Sequence, residues 1–125
     1  MIHLDTSFLI RALVRGSAQD RTLRRWLAKR EALAVSAIAW TEFLCGPVAE
    51  EHFAAVAQIF AECVPFRDQD ARLAADLFNR TGRRRGSLVD CMIAATALNC
   101  EAALATVNSE DFRRFGAAGL ALATD

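Results

Sequence analysis

The apolar positions of this chain form short, dense runs set between longer stretches with helical spacing. Residues 1–10, Met-Ile-His-Leu-Asp-Thr-Ser-Phe-Leu-Ile, read as a buried strand that ends at the carboxylate of Asp5 and passes straight into a helix over 7–14, stopped near Gly16-Ser17. A longer helix over 18–30 carries Leu23, Trp26 and Leu27 on one face and arginines on the other. Trp26 is then a core residue or a partner-facing anchor, not a platform for stacking bases. Residues 32–35 form a second buried strand, and Ser36 caps a helix over 37–45. Gly46-Pro47 ends that helix with a glycine and a residue that cannot continue it.

Further on, 50–62 has the spacing of an amphipathic helix with Phe53, Val56, Ala57 and Phe60 inside, and 63–66 is a short strand. Asp68 is placed to cap a helix over 69–81, after which Arg83-Arg84-Arg85 stands between Gly82 and Gly86. Ser87 opens a very apolar helix through Asn99, 102–107 is a strand closed by Asn108-Ser109, 110–115 is a brief helix, and a weak last strand covers 120–123. There are no repeats, low-complexity tracts or linkers. Strands alternating with helices predict one α/β domain over residues 1–125, a parallel sheet covered by helices on both faces.

This architecture gives the acidic residues a common address. A helix that follows a parallel strand starts at the strands' carboxyl edge, and so does a helix that leads directly into the next strand. Asp5 ends the first strand, Glu42 lies early in the helix after the second, Asp90 lies in the first turn of the helix before the 102–107 strand, and Asp111 falls just after that strand. All four are expected on one edge, where open α/β sheets bind ligands. Capping remains an alternative for three of them. Asp5 or Thr6 can cap the helix that follows, and Ser87-Leu-Val-Asp90 and Asn108-Ser-Glu-Asp111 both resemble capping boxes. Glu42 is too far into its helix to cap it, and its neighbours Trp40, Phe43 and Leu44 predict a partly desolvated carboxylate in need of a partner.

A ring of carboxylates is unfavourable alone, because like charges raise one another's pKa. A hard divalent cation removes the conflict: Mg²⁺ or Mn²⁺ takes oxygen ligands and, with a phosphodiester present, can polarise a phosphoryl oxygen and lower the pKa of water. No competing constellation is present. His3 and His52 are isolated, and there is no P-loop or G-x-G-x-x-G.

Composition narrows the setting. A chain of 125 residues can bury enough surface to fold without disulfide or metal staples. Cys45, Cys63, Cys91 and Cys100 lack C-x-x-C or zinc-finger spacing, so free thiols in a reducing cytoplasm are expected. Asp5 interrupts the N-terminal apolar run and no basic segment precedes it, so neither a secretory signal nor a membrane span is expected, and the protein reads as soluble. Net charge is zero, which alone argues against a nucleic-acid partner. Its distribution is uneven: residues 11–30 hold seven basic side chains against the single acid Asp20, and the 83–85 loop adds three more. Such runs are commonly solvated faces, but rimming an acidic pocket they would favour a polyanion.

Asp5-Thr6-Ser7 after an apolar strand, Glu42 in a helix, Asp90-Cys-Met-Ile-Ala-Ala-Thr-Ala-Leu98, and Ala105-Thr-Val-Asn-Ser-Glu-Asp-Phe112 together resemble PIN-domain ribonucleases. The likeness is strongest to the VapC toxins of type II toxin–antitoxin pairs, and it runs in order along nearly the whole chain. It implies a Mg²⁺- or Mn²⁺-dependent endoribonuclease in which Asp5, Glu42, Asp90 and Asp111 occupy the catalytic and metal-binding acidic positions. Ser7, Thr106 and Asn108 occupy supporting polar positions, and Arg83, Arg84 and Arg85 become candidates for RNA contact. It further implies a cytoplasmic homodimer held inactive by a small antitoxin, through which alone it meets promoter DNA. The neutral net charge departs from the usual basic surface of an RNA binder, and the 47–86 segment matches no motif. A nuclease of RNA processing without an antitoxin, and a degenerate domain that only binds, are the alternatives. A receiver-type signalling domain is disfavoured, because its chemistry needs a late lysine and the only lysine here is Lys29.

Overall fold

Parallel pairing requires each strand to be followed by a crossover, and the chain supplies one every time. The computed structural model describes residues 1–123. Its strands are β1 (Ile2–Leu4), β2 (Leu33–Ser36), β3 (Glu62–Val64) and β4 (Ala103–Ala105), all parallel, in the order β3-β2-β1-β4. The helices are α1 (Thr6–Ala12), α2 (Ala18–Ala28), α3 (Ala37–Cys45), α4 (Phe53–Ala57), α5 (Asp68–Arg80), α6 (Leu88–Asn99) and α7 (Ser109–Phe112), with 3₁₀ turns at Glu50–His52 and Arg113–Ala118.

Strand order fixes which face each helix covers. The chain steps from β1 to β2 to β3 in one direction, then returns across the sheet to β4 on the far side of β1. Right-handed crossovers in opposite directions lie on opposite faces, so α1–α4 and the α5–α6 pair sandwich the sheet. Between β1 and β4 the connections diverge. A crevice opens there at the carboxyl ends of the strands, the position where open α/β sheets hold ligands.

The core explains why this sheet tolerates such short strands. Leu4, Leu33, Val35 and Leu104 are buried in it, and Phe43, Ile93, Phe112 and Phe115 close over them. Trp26 is core, stacked on Phe8 with ring centroids 5.5 Å apart. Helix α6 is buried on nearly every side; Cys91, Ala94, Ala95 and Ala97 are small enough to let it lie close against the sheet and α5. Thr96 tolerates this burial because its hydroxyl donates to the Met92 carbonyl at 2.9 Å. The four cysteines are free thiols.

Several boundaries differ from the sequence expectation. The 50–62 helix does not form as one piece: a 3₁₀ turn and the short α4 replace it, and Glu62 already belongs to β3. The Ala61 amide donates to the Leu33 carbonyl at 2.8 Å, and Glu62, Cys63 and Val64 pair with Ala34, Val35 and Ser36. Pairing with β2 overrides the helical spacing. Asp68 is the first residue of α5, not its cap; the Asp70 carboxylate instead reaches back to accept the Arg67 amide at 2.9 Å. The final strand is reduced to one parallel bridge, Leu104 with Leu122. Among the described residues no helix is long and apolar enough to cross a membrane.

Candidate active site

Asp5 occupies the N-cap position of α1 with extended backbone (φ −77°, ψ 155°), yet its carboxylate makes no cap hydrogen bond. It is turned into the crevice beside β4 instead. Its Oδ2 accepts from the Ser7 hydroxyl at 2.8 Å and from the Thr106 hydroxyl at 2.8 Å. Each hydroxyl has one proton, so both are committed to Asp5, and the 3.1 Å contact between the two oxygens is packing. As acceptors, the same oxygens take backbone amides from the loop after β4, Val107 onto Ser7 at 3.2 Å and Asn108 onto Thr106 at 3.0 Å. The network thus ties the ends of β1 and β4 around one carboxylate that is only 4% exposed. Burial raises the Asp5 pKa above its ordinary value. The two hydroxyls, and more weakly the neighbouring amides of Thr6 and Ser7, hold that rise back.

Thr6 brings in the second acid. Its hydroxyl lies 2.9 Å from the Ala39 carbonyl and 3.0 Å from Glu42 Oε1, one proton shared between two acceptors. This links the start of α1 to the middle of α3. Glu42 is exposed, contrary to the desolvated position expected from its apolar neighbours, because Phe43 turns inward while Glu42 and Leu44 face out. Its pKa is nonetheless raised, first by the protein mass beneath it and further by the Asp5 charge, with the Thr6 hydroxyl opposing.

Asp90, in the first turn of α6, is the most perturbed of these acids. Its pKa is pushed up to about 6 by burial, then by the charges of Asp5 and Asp111, against the pull of Arg114; Glu42 adds a last, small push upward. Neither capping box expected near it forms. The Ser87 hydroxyl donates back to the Arg84 carbonyl at 2.7 Å, and Asn108 makes no side-chain cap. Asp5, Thr6, Ser7, Ile10, Glu42, Asp90 and Asn108 line a cleft of about 240 Å³. Asp111, on α7, is exposed and stands outside the lining, acting on Asp90 through its charge.

These donors suit a hard cation in kind: carboxylate oxygens gathered so closely that they raise one another's pKa, with hydroxyls behind them. Among the described residues, no three of them already converge on a single point as a closed ligand set.

The arginine loop lies on this same edge. Helix α6 begins at the acidic cleft, and residues 81–87 are the connection that delivers the chain to that end. Arg83 adopts a left-handed conformation (φ 52°) between Gly82 (φ 85°) and Gly86 (φ 81°). It is drawn back onto α5, over the Phe78 ring at 5.4 Å and bonded to Asn79. Arg84 and Arg85 are exposed, with no side-chain partner among the described residues. The basic stretch around α2 is partly engaged locally, Arg24 with Asp20 at 3.0 Å for example, and reads as a solvated helix face. Sequence reasoning missed Arg114, whose Nη2 lies 3.8 Å from Asp90 Oδ2. The two residues are far apart in the chain and on different elements, so no local spacing signals their approach.

An acidic cleft at the divergence point of a short parallel sheet, built from the ends of β1 and β4, the middle of α3 and the start of α6, defines a class of α/β domain. The sequence profile of the PIN domain matches residues 2–118, and the chain belongs to that family. Its fold is similar to that of FitAcB from Neisseria gonorrhoeae, with a TM-score of 0.71 and 24% identity over 99% of this chain and 97% of that one. It is also similar to VapBC2 from Rickettsia felis, solved bound to a promoter DNA fragment (TM-score 0.72, 22% identity, 98% of each chain). A further similar structure is VapC20 from Mycobacterium tuberculosis, described as a sarcin-ricin loop cleaving toxin (TM-score 0.70, 20% identity, 98% of each chain). No curated protein sequence matches this chain.

Proposed function

We propose that this PIN domain is a divalent-metal-dependent endoribonuclease and the toxin of a toxin–antitoxin pair. The observation that carries this reading is the buried Asp5 carboxylate, held by Ser7 and Thr106 and facing the pKa-raised Glu42 and Asp90 across one open cleft. A buried acid serving only structure would have its charge balanced; here several acids oppose one another, which is unfavourable unless a cation is the intended occupant.

Asp5, Glu42 and Asp90 would hold Mg²⁺ or Mn²⁺, with Asp111 completing the ring from outside the cleft. When bound, the ion supplies charge that polarises a phosphoryl oxygen and makes water more acidic. The chain's own residues do the positioning. Both hydroxyl bonds to Asp5 fall on Oδ2, and Oδ1 takes no side-chain hydrogen bond among the described residues. Thr6 fixes Glu42 against the same edge, and Asn108 lines the cleft beside Thr106. Arg84 and Arg85, exposed in the loop that leads into α6, would supply the local positive charge for RNA phosphates that the neutral net charge does not.

The toxin assignment is supported by similarity to FitAcB, VapBC2 and VapC20. It carries with it a small antitoxin that meets promoter DNA, a homodimer and a cytoplasmic setting. The test is cleavage of structured and single-stranded RNA by purified protein in Mg²⁺ or Mn²⁺, with Asp5→Asn as the control against contaminating nuclease. Cleavage that persists in chelator, or that Asp5→Asn retains in full, overturns the reading.

A further inference from the structure

We propose that Arg114 is a positioning residue for Asp90, a buried guanidinium that acts as the acidic edge's standing counter-charge until a cation binds. The proposal rests on the metal-site reading above. The Arg114 side chain is 15% exposed, and neither its Nε nor its Nη2 has a hydrogen-bond partner among the described residues. Idle buried N–H groups on a charged side chain are costly, and a chain that needed only an exposed arginine had one next door. Arg113 reaches out to pair with Glu110 at the surface.

Arg114 is instead held in place. Its Cζ sits 4.6 Å over the Phe115 ring, and Phe115 packs edge-on against Phe112 in the core at 6.0 Å. From there the guanidinium faces Asp90 at 3.8 Å, beyond hydrogen-bond length but within range of a direct charge interaction. Each group corrects what is unfavourable about the other. Asp90, crowded by Asp5, Asp111 and Glu42, gains one nearby cation, and the buried guanidinium gains an anion. With a dication held by Asp5, Glu42 and Asp90, the Arg114 charge would become unnecessary to Asp90 and would oppose the ion.

The experiment compares wild type, R114M, R114K, D90N and D90N/R114M as full chains. It measures Mn²⁺ binding without RNA, by loss of the free ion's paramagnetic resonance signal, and melting in chelator. R114M is expected to bind Mn²⁺ on the order of tenfold more tightly, the effect of removing one unit charge a few ångströms from a dication even at the dielectric constant of water. It should melt roughly 5 °C below wild type in chelator. R114K keeps the charge and should stay within about twofold of wild-type affinity. In the D90N background the Arg114 substitution should cost little, because its partner charge is gone.

Unchanged Mn²⁺ affinity in R114M, or an equal melting loss with and without Asp90, overturns the proposal and leaves Arg114 a packing residue. Should R114M fail to fold, recovery of a folded D90N/R114M chain supports it and failure of that chain overturns it. Wild-type Mn²⁺ binding by D90N would overturn the metal-site reading itself. Weakened binding by D90N with an unchanged R114M removes only the role given to Arg114.

Discussion

Replacing Asp90 by Asn should stabilise this protein in chelator at neutral pH, although Asp90 sits where a helix favours an acid. Its folded-state pKa is pushed from the ordinary 3.8 to about 6. A raised acid pKa means that ionisation is harder in the folded chain than in the unfolded one. Stability is therefore full below pH 3.8, falls as pH rises from there to about 6, and stays reduced above. A shift of about two units corresponds to about 3 kcal/mol in full. The side chain is 31% exposed, and solvent screening reduces this to roughly 1–2 kcal/mol. Losing a negative charge in the first turn of α6 takes back about 0.5 kcal/mol through the helix dipole. The net gain of about 1 kcal/mol should raise the melting temperature by about 4 °C for a chain of this size. In wild type, Mn²⁺ at about a hundredfold over its dissociation constant should add about 2.7 kcal/mol, and the variant should lose most of that. Melts of both chains at pH 4, 6 and 7.5, with chelator or Mn²⁺, check each part. The advantage must shrink towards pH 4. An Asp90→Asn chain that melts below wild type in chelator at pH 7.5 and keeps its Mn²⁺ shift would refute the reasoning and return Asp90 to a purely helical role.

Removing either hydroxyl from Asp5, by Ser7→Ala or Thr106→Val, leaves a buried carboxylate one donor short and should cost about 1–3 kcal/mol, read by denaturant unfolding in chelator; no loss in either variant would mean the network is incidental. His3 is buried, with both ring nitrogens unpartnered among the described residues and its pKa lowered to about 4, chiefly by burial. Its stability contribution is intact above pH 6.5 and is lost as pH falls from 6.5 to about 4, by at most about 3 kcal/mol. His3→Leu should abolish that acid slope and be no less stable at pH 7. Arg84→Gln and Arg85→Gln should weaken RNA binding and lower the magnitude of its logarithmic salt dependence by about one unit for each phosphate no longer neutralised; an unmoved slope would place the loop away from the RNA.

The alternation of apolar runs and helical spacing was enough to determine a parallel α/β domain and to bring Asp5, Glu42 and Asp90 to one cleft, while Asp111 stays exposed outside its lining. Both follow from local periodicity and from the direction a crossover must run. Local pattern failed where a distant partner decided the outcome. The 50–62 segment carries helical spacing, but an edge of β2 was open for pairing and the backbone of Glu62–Val64 met it. Ser87 and Asn108 have the composition of caps, yet neither side chain caps its helix: the Ser87 hydroxyl donates to the Arg84 carbonyl, and at Asn108 it is the backbone N–H that bonds, to the Thr106 hydroxyl oxygen. Whether Asp5 caps or faces the cleft was open in the sequence, and Thr106, a hundred residues away, settles it by offering a better hydrogen bond. The place of the arginine loop and the pairing of Arg114 with Asp90 were not legible at all. Both depend on which ends of α5, α6 and the segment after α7 meet, and proximity across such separations is fixed only when the strands take their order in the sheet.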